Sequence, residues 1–388
     1  MFDAHRPSDL DLGDVAGVAQ FSPAHFREHA LGSRSRTDLR FQRHLDAQFA
    51  ELFTHHSALS PQAPRGACRT GCQRSQLDSK VSIVTSAQAA ALGLGRIAGL
   101  EKHIRQYRNG RDLTQTSREA MVIDLFGLGV EEVRTRFSAV YQHLLEQVKP
   151  ERDQNNCAGR RKKWWLFGEA LSTFRPALEG LQRYIATVET AKHRVFQFLS
   201  TDILPDNMLV NIALEDGYSL GILSSRVHVV WALAAGGRLG VGNDPRHNKS
   251  RGFEPFPFPM PIEQQRKGIS ELAEQIDAHR KRQLALHPSL TLTEMYNTLE
   301  TLRAGRVLTD KEKQIHTLGL VSTLLELHQK LDALVLLTYG WAGTLSDADT
   351  LEKLVALNLE RQRDGALPAP RVPKPQHRHA RHRPRTAR

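Results

Sequence analysis

Apolar positions along this chain follow different periods in different stretches. Residues 1 to 80 show no sustained period, and only Ser35 to Phe53 is patterned as a helix. From 81 to 261, short apolar runs alternate with loops rich in Gly, Pro, Asn and Asp. Ala120–Phe126, Tyr184–Val188 and Met208–Leu214 are compact and rich in Val and Ile, which predicts strands. Val130–Val148 and Tyr218–Ala235 are long enough to predict helices.

Beyond Pro261 the period is helical only. Ile262, Ile269, Leu272 and Ile276 recur at helical spacing ahead of Arg280-Lys-Arg282. Thr291-Leu-Thr-Glu294 and Thr309-Asp-Lys-Glu312 have the form of capping boxes, in which hydroxyl and carboxylate satisfy orphan backbone donors. Leu324, His328, Leu331 and Val335 share one helix face, where His328 reads as a core-edge residue rather than a ligand. Leu351–Leu359 forms a last amphipathic stretch before Gly365. The expected fold class is α+β. It has a poorly patterned segment at 1–80, a mixed α/β domain at 81–261, a helical region at 262–364, and a disordered basic tail at 365–388.

The segment Gly240–Pro259, GVGNDPRHNKSRGFEPFPFP, joins the two patterned parts. Its first half combines turn-forming Gly, Asn, Asp and Pro with Arg246, Asn248, Lys249 and Arg251. Its second half alternates Phe253, Phe256 and Phe258 with prolines, which removes backbone donors and forbids a helix. A basic loop running into a buried aromatic and proline strap is the expectation.

Charge points to a polyanionic partner. The 388 residues carry 53 Lys plus Arg against 42 Asp plus Glu, a formal charge of +11. Part of the excess sits in the tail, where Arg371, Lys374, Arg378, Arg381, Arg383, Arg385 and Arg388 occur without an acid. No stretch approaches the roughly 20 apolar residues of a membrane span, and Met1–Asp14 is too polar for a secretory signal. A cytoplasmic location without membrane contact is expected. Cys68, Cys72 and Cys157 make no disulfide framework. Cys68 and Cys72 could join His55 and His56 around zinc, but the surrounding Pro, Gly and Arg favour an irregular segment and no second Cys/His pair has the spacing of a zinc family, so no metal site is predicted.

A series of short blocks keeps a recognisable order. It runs Tyr107-Arg-Asn-Gly-Arg-Asp-Leu113, Lys149-Pro-Glu-Arg-Asp153, Trp164-Trp-Leu-Phe-Gly168 and Tyr184 through Arg194. Leu220-Gly-Ile-Leu-Ser-Ser-Arg226, Asn248-Lys-Ser and Phe256-Pro-Phe-Pro259 follow. From about Val81 to about Asp364 the chain resembles the carboxy-terminal half of MmeI-like, type IIL, adenine-specific DNA methyltransferases. The resemblance implies a target-recognition domain and a helical spacer. It also implies double-stranded DNA as partner and, for the intact enzyme, S-adenosylmethionine as methyl donor.

The motifs of the reaction itself are absent from this chain. Adenine N6 methylation in such enzymes uses an Asn/Asp-Pro-Pro-aromatic turn, and here no Asn-Pro pair occurs. The single Asp-Pro, Asp244-Pro245, is followed by Arg246. The one Gly-rich candidate for a cofactor turn, Gly93-Leu-Gly95, follows an Ala-rich helical run rather than a strand. The expectation is a DNA-binding portion that binds no cofactor and is inactive alone, with a separate catalytic methyltransferase chain as a conceivable partner. Truncation or frameshift of a longer gene would account for the loss of resemblance at both ends. The competing expectation is a helical assembly module whose basicity is incidental.

Candidate DNA-facing residues follow from these blocks. Arg108, Asn109 and Arg111 sit in a Gly-containing turn, either facing phosphate or with Arg111 paired to Asp112. Arg161 and Lys163 belong to a cationic run before Trp164-Trp165, whose rings are expected mostly to pack. Lys192 and Arg194 form a basic rim over a core strand. Arg246, Asn248, Lys249 and Arg251 complete the set, since Asn bonds adenine bidentately and Arg bonds guanine.

Overall fold

The computed structural model describes residues 82–166, 174–239, 244–248, 252–341 and 343–363, with backbone alone at 67–69, 238–239 and 362–363. The helix predicted at Ser35–Phe53, the side chains of Cys68 and Cys72, Lys249, Arg251 and the 365–388 tail lie outside the described residues.

The strands are β1 Ala67–Arg69, β2 Ile83–Val84, β3 Ile104–Arg108, β4 Met121–Ile123 and β5 Arg183–Val188. They continue with β6 Gln197–Ser200, β7 Ile203–Pro205, β8 Leu209–Ile212, β9 Gly237–Leu239 and β10 Asp244–Arg246. Helices of the mixed region are α1 Ser86–Ala91, α2 Gly110–Thr114, α3 Val130–Arg136, α4 Ser138–Gln147, α5 Lys149–Asp153, α6 Ala158–Lys162 and α7 Phe174–Ala177. Two further helices follow, α8 Gly217–Ser224 and the partly buried α9 Arg226–Ala235. The helical region holds α10 Glu263–Leu286, α11 Leu292–Arg303, α12 Asp310–Gly319, α13 Val321–Thr338 and α14 Asp347–Arg363. The architecture is a mixed α/β region followed by helices, as the pattern predicts.

Two four-stranded sheets form the mixed region. One has the order β1-β8-β5-β6 and is antiparallel throughout, pairing Tyr184 with Leu199 and Ala186 with Asn211. The other has the order β2-β4-β3-β7, in which β3 and β7 run parallel and pair Tyr107 with Leu204. The β5 burial is nearly continuous, as suits a strand covered on both faces. Ile104, Ile123, Val133, Phe137, Val140 and Leu144 make one core cluster between the second sheet and α3 and α4.

Two predicted helices are each broken in two. At Phe137 the backbone leaves the helix (φ −131°, ψ 55°) and the ring enters the core, 1% exposed, beneath the Arg136 guanidinium. At Ser225 the backbone is extended, and its hydroxyl accepts from the His228 N–H to cap α9. Ser225 is a helix start within the polar interruption Ser224-Ser225-Arg226 of an otherwise apolar segment, where a capping serine restarts the helix.

All eight residues of α8 are buried. The helix lies so close to α10 that a Cβ on Gly221 would stand 2.5 Å from Ile269 Cγ2. The strap beyond it is buried as expected: Phe253, Phe256 and Phe258 are 1%, 0% and 4% exposed. Its carbonyls accept from side chains instead of a sheet. Asn358 Nδ2 reaches Pro255 O at 2.6 Å, Tyr339 Oη reaches Pro257 O at 2.9 Å, and Tyr218 Oη reaches Pro259 O at 3.0 Å. Proline cannot join a ladder as a donor, so the strap's acceptors are satisfied one by one.

Candidate nucleic-acid interface

Strand β3 ends at Arg108 and delivers the chain into the Asn109-Gly110 turn. Asn109 Oδ1 accepts from the Asp112 N–H at 3.0 Å, and Asp112 Oδ2 accepts from the Asn109 N–H at 2.9 Å. Gly110 permits this turn to lie on β5, because a Cβ there would stand 2.8 Å from Val188 Cγ1. The Asp112 carboxylate is buried and receives Arg118 through Nε at 2.9 Å, Nη2 at 2.8 Å and the backbone N–H at 3.0 Å. Burial works to raise its pKa. The Arg118 side chain and the backbone N–H groups of Asn109 and Arg118 outweigh it and hold the pKa below the usual value. The partner of Asp112 is therefore Arg118 and not Arg111. Arg111 is exposed and donates to Gln115 Oε1 at 2.9 Å.

The segment from 189 to 196 forms the opposite rim. Thr190 bridges to Arg246, and the His247 N–H donates to Glu189 O at 2.7 Å, so β10 is stitched along this segment. Arg194, predicted to face DNA, instead lies beneath the rim at 6% exposure. It donates to the carbonyls of Val188 and, at 2.9 Å, Pro245. Burial lowers its pKa to about 10, which leaves it charged at neutral pH. The physical reason is the fork of guanidinium donors, which ties the last carbonyl of β5 to a carbonyl of β10. Lys192 is exposed, and its ammonium donates to Asn297 Oδ1 at 2.6 Å.

Arg246 pairs with Glu189 at 2.6 Å, with 36% and 8% of the side chains exposed. Asn248 is half-buried, and its carbonyl accepts from the Gly252 N–H at 2.6 Å. The Arg160–Lys163 run lies on and just after α6. Arg161 and Lys163 are exposed, and Arg161 Nη1 donates to Asn155 O at 2.5 Å. The tryptophans pack: Trp164 is 8% exposed, and Trp165 Nε1 donates to Leu128 O at 3.0 Å.

A groove of about 650 Å³ opens between the two rims. Asn109, Arg111, Arg118, Lys192, Asn207 and Thr293 line it, with Asp206 and Asp244 also on its wall. The Tyr107 hydroxyl donates to the Asp206 carboxylate from below, and burial followed by that carboxylate's charge pushes its pKa up. The structure thus gathers Asn109, Arg111 and Lys192 around one groove, with Arg108 preceding and Arg246 next to Asp244. Arg161 and Lys163 do not line it. Sequence reasoning missed Arg118, Asn207 and Thr293. The glycine marked the turn that holds Asp112, but the carboxylate's bond to Arg118 six residues on has no local pattern.

The described residues thus form a mixed α/β region with two small sheets and a polar groove lined by cations and amides, followed by a helical region. A solved structure shares this fold: the type IIL restriction-modification enzyme MmeI in complex with DNA. The likeness has a TM-score of 0.57 and 19% sequence identity, covering 78% of this chain and 36% of that one. The chain therefore spans little more than a third of that protein's length. No protein-family description matches the chain, and no curated protein matches it. Among the described residues no helix is long and apolar enough to cross a membrane, and no group of three or more His, Cys, Asp or Glu is placed to hold a metal ion.

Proposed function

We propose that this chain is the DNA-binding target-recognition portion of a site-specific DNA adenine N6-methyltransferase of a restriction-modification or phage-defence system. Residues 81–261 are the recognition domain and 262–364 the helical spacer, corresponding to the carboxy-terminal half of an MmeI-like enzyme. The observation that carries the reading is the groove, where Asn109, Arg111, Arg118, Lys192 and Asn207 converge from separate elements. Its chemistry suits base edges as well as phosphates. Amides bond adenine, guanidinium groups bond guanine, and carboxylates such as Asp206 and Asp244 accept from cytosine. Likeness of fold to a protein solved with DNA supports it.

S-adenosylmethionine and the base-amino turn belong to a catalytic half whose motifs these 388 residues do not contain. The Gly93 and Gly95 turn follows α1, with φ of +105° and +80°, and is a helix exit rather than a strand-to-helix cradle. The test is electrophoretic mobility shift with duplex DNA at 50 and 200 mM salt. Binding that weakens about tenfold or more over this range fits several phosphate contacts. Absence of binding at low salt, with salt-tolerant self-association in light scattering, would support a helical assembly module instead.

A further inference from the structure

The helical region does more than extend away from the recognition groove: its helix α11 touches both rims. Thr293 and Asn297 are four residues apart and so share one face of α11. Thr293 Oγ1 donates to Thr114 O, at the end of α2 on one rim, at 3.1 Å. Asn297 Oδ1 accepts from Lys192 Nζ at 2.6 Å and from the His193 ring Nε2 at 2.8 Å on the other rim. Asn297 is half-buried, while Lys192 is exposed and lines the groove.

We propose that Asn297 is a positioning residue for DNA binding, holding the Lys192 ammonium at the groove through its side-chain oxygen and so making the helical region a working wall of the recognition site. This rests on the reading of the groove as a DNA interface. The physical basis is the freedom of a lysine side chain. An ammonium on four methylenes loses rotamer entropy when it is immobilised on binding, and a neutral acceptor that fixes it beforehand removes that cost without cancelling its charge. An amide is suited to this task. A carboxylate in its place would neutralise the cation it positions.

A double-mutant cycle on the full chain tests the proposal, with duplex DNA affinity measured across a salt series. Lys192→Ala should weaken binding and reduce the salt slope by about one. Asn297→Ala should weaken binding about threefold to tenfold while leaving the salt slope close to that of the parent, because the lysine remains but is no longer held. In the Lys192→Ala background, Asn297→Ala should have no further effect. Full additivity of the two losses would overturn the proposal, since a structural role for Asn297 does not depend on Lys192. Asn297→Asp, nearly isosteric, provides an independent reading even if the alanine variant unfolds. It should lower the salt slope by about one, and an unchanged slope would overturn the proposal. If Lys192→Ala itself changes neither affinity nor slope, the groove is not the DNA interface and the parent reading fails with it.

Discussion

The mixed α/β region and the helical region satisfy their polar groups by different means. In the helical region the backbone bonds itself, and the ends are closed locally: Thr309 and Glu312 form a complete capping box, and Thr291 Oγ1 accepts from the Glu294 N–H at 3.2 Å. Several buried polar side chains there bond one another or a neighbouring backbone carbonyl. Arg280, 3% exposed, reaches Tyr296 Oη at 3.0 Å and Phe196 O at 2.8 Å, and Tyr296 Oη bonds His328 Nε2 at 2.9 Å. Around the groove the backbone runs through turns and short strands, so charged side chains take over. Asp112 gathers Arg118 and two turn N–H groups, and Arg194 gathers the carbonyls of Val188 and Pro245. The difference lies in what closes the backbone: charged side chains hold the groove's turns, whereas helix hydrogen bonds and end caps close the frame behind it, where Arg280 is itself paired with buried Asp277 at 3.2 Å.

The largest expected effect breaks the frame. Phe256 is 0% exposed and meets His228 at 4.8 Å, Phe258 at 5.0 Å and Trp231 at 6.1 Å between ring centroids. Phe256→Ala should cost about 3–5 kcal/mol, read from the urea midpoint. Because the strap is bonded by Tyr339 and Asn358 of the helical region, unfolding should stay a single transition. Two resolved transitions would show that the regions do not share a core.

The next effect sharpens the comparison through pH. His228 is fully buried, and burial lowers its pKa to about 3; His247 and His328 are driven well below the usual value by burial first and nearby arginines second. These rings stay neutral in the fold while the unfolded chain takes up protons near pH 6.5, so the unfolded state binds more protons below that pH. Stability should therefore fall by several kcal/mol as pH drops from about 6.5 toward 3. The Asp112 tie acts in a lower window: its contribution is complete above about pH 4 and is lost as pH falls through its depressed pKa. Urea midpoints at pH 7.5, 5.5 and 4 check this, and a flat profile would contradict the burial of the histidines.

A smaller effect concerns Arg246. The sequence groups it with Lys249 and Arg251 as a cation of a basic loop. Its pair with Glu189 gives it a structural role as well: Arg246→Ala should cost about 1 kcal/mol, since the arginine is partly exposed. If it also meets a phosphate, the salt slope falls by about one. Stability and slope measured on the same variant separate the two roles.

Much of this fold was legible because it rests on local periods. The β5 and β8 strands, the α10 helix, the Thr309 cap and the buried phenylalanines of the strap all follow from spacing and residue type. The break at Phe137 was not legible, because the apolar period continues across it; the break at Ser225 was marked by Ser224-Ser225-Arg226, a capping signal that the reading by period passed over. The site was legible in part. Turn chemistry marked the Asn109 turn, and charge marked Lys192. Nothing local distinguishes Lys192, which faces the groove, from Arg194 two residues away, which is drawn under it by carbonyls of Val188 and Pro245. Which cation stays outside is decided by contacts between distant parts of the chain.

The smallest expected effect tests the open surface against the groove. Arg161 and Lys163 are exposed and do not line the groove, and the tryptophans beside them belong to the core. Replacing both by Ala should change stability by less than about 0.5 kcal/mol. As proposed DNA contacts on an open surface, they reach phosphates only, so the double variant should lower the salt slope by up to about two. Phosphate contacts position a duplex without reading it. Affinity for duplexes selected from a random pool and for the unselected pool should consequently fall by the same factor, leaving their ratio unchanged. Groove variants such as Asn207→Ala should behave oppositely, narrowing that ratio by about 1–3 kcal/mol at one base position while the slope stays constant. If the Arg161 and Lys163 variant narrows the ratio, base reading extends beyond the groove. If it leaves both affinity and slope unchanged, this surface does not meet DNA.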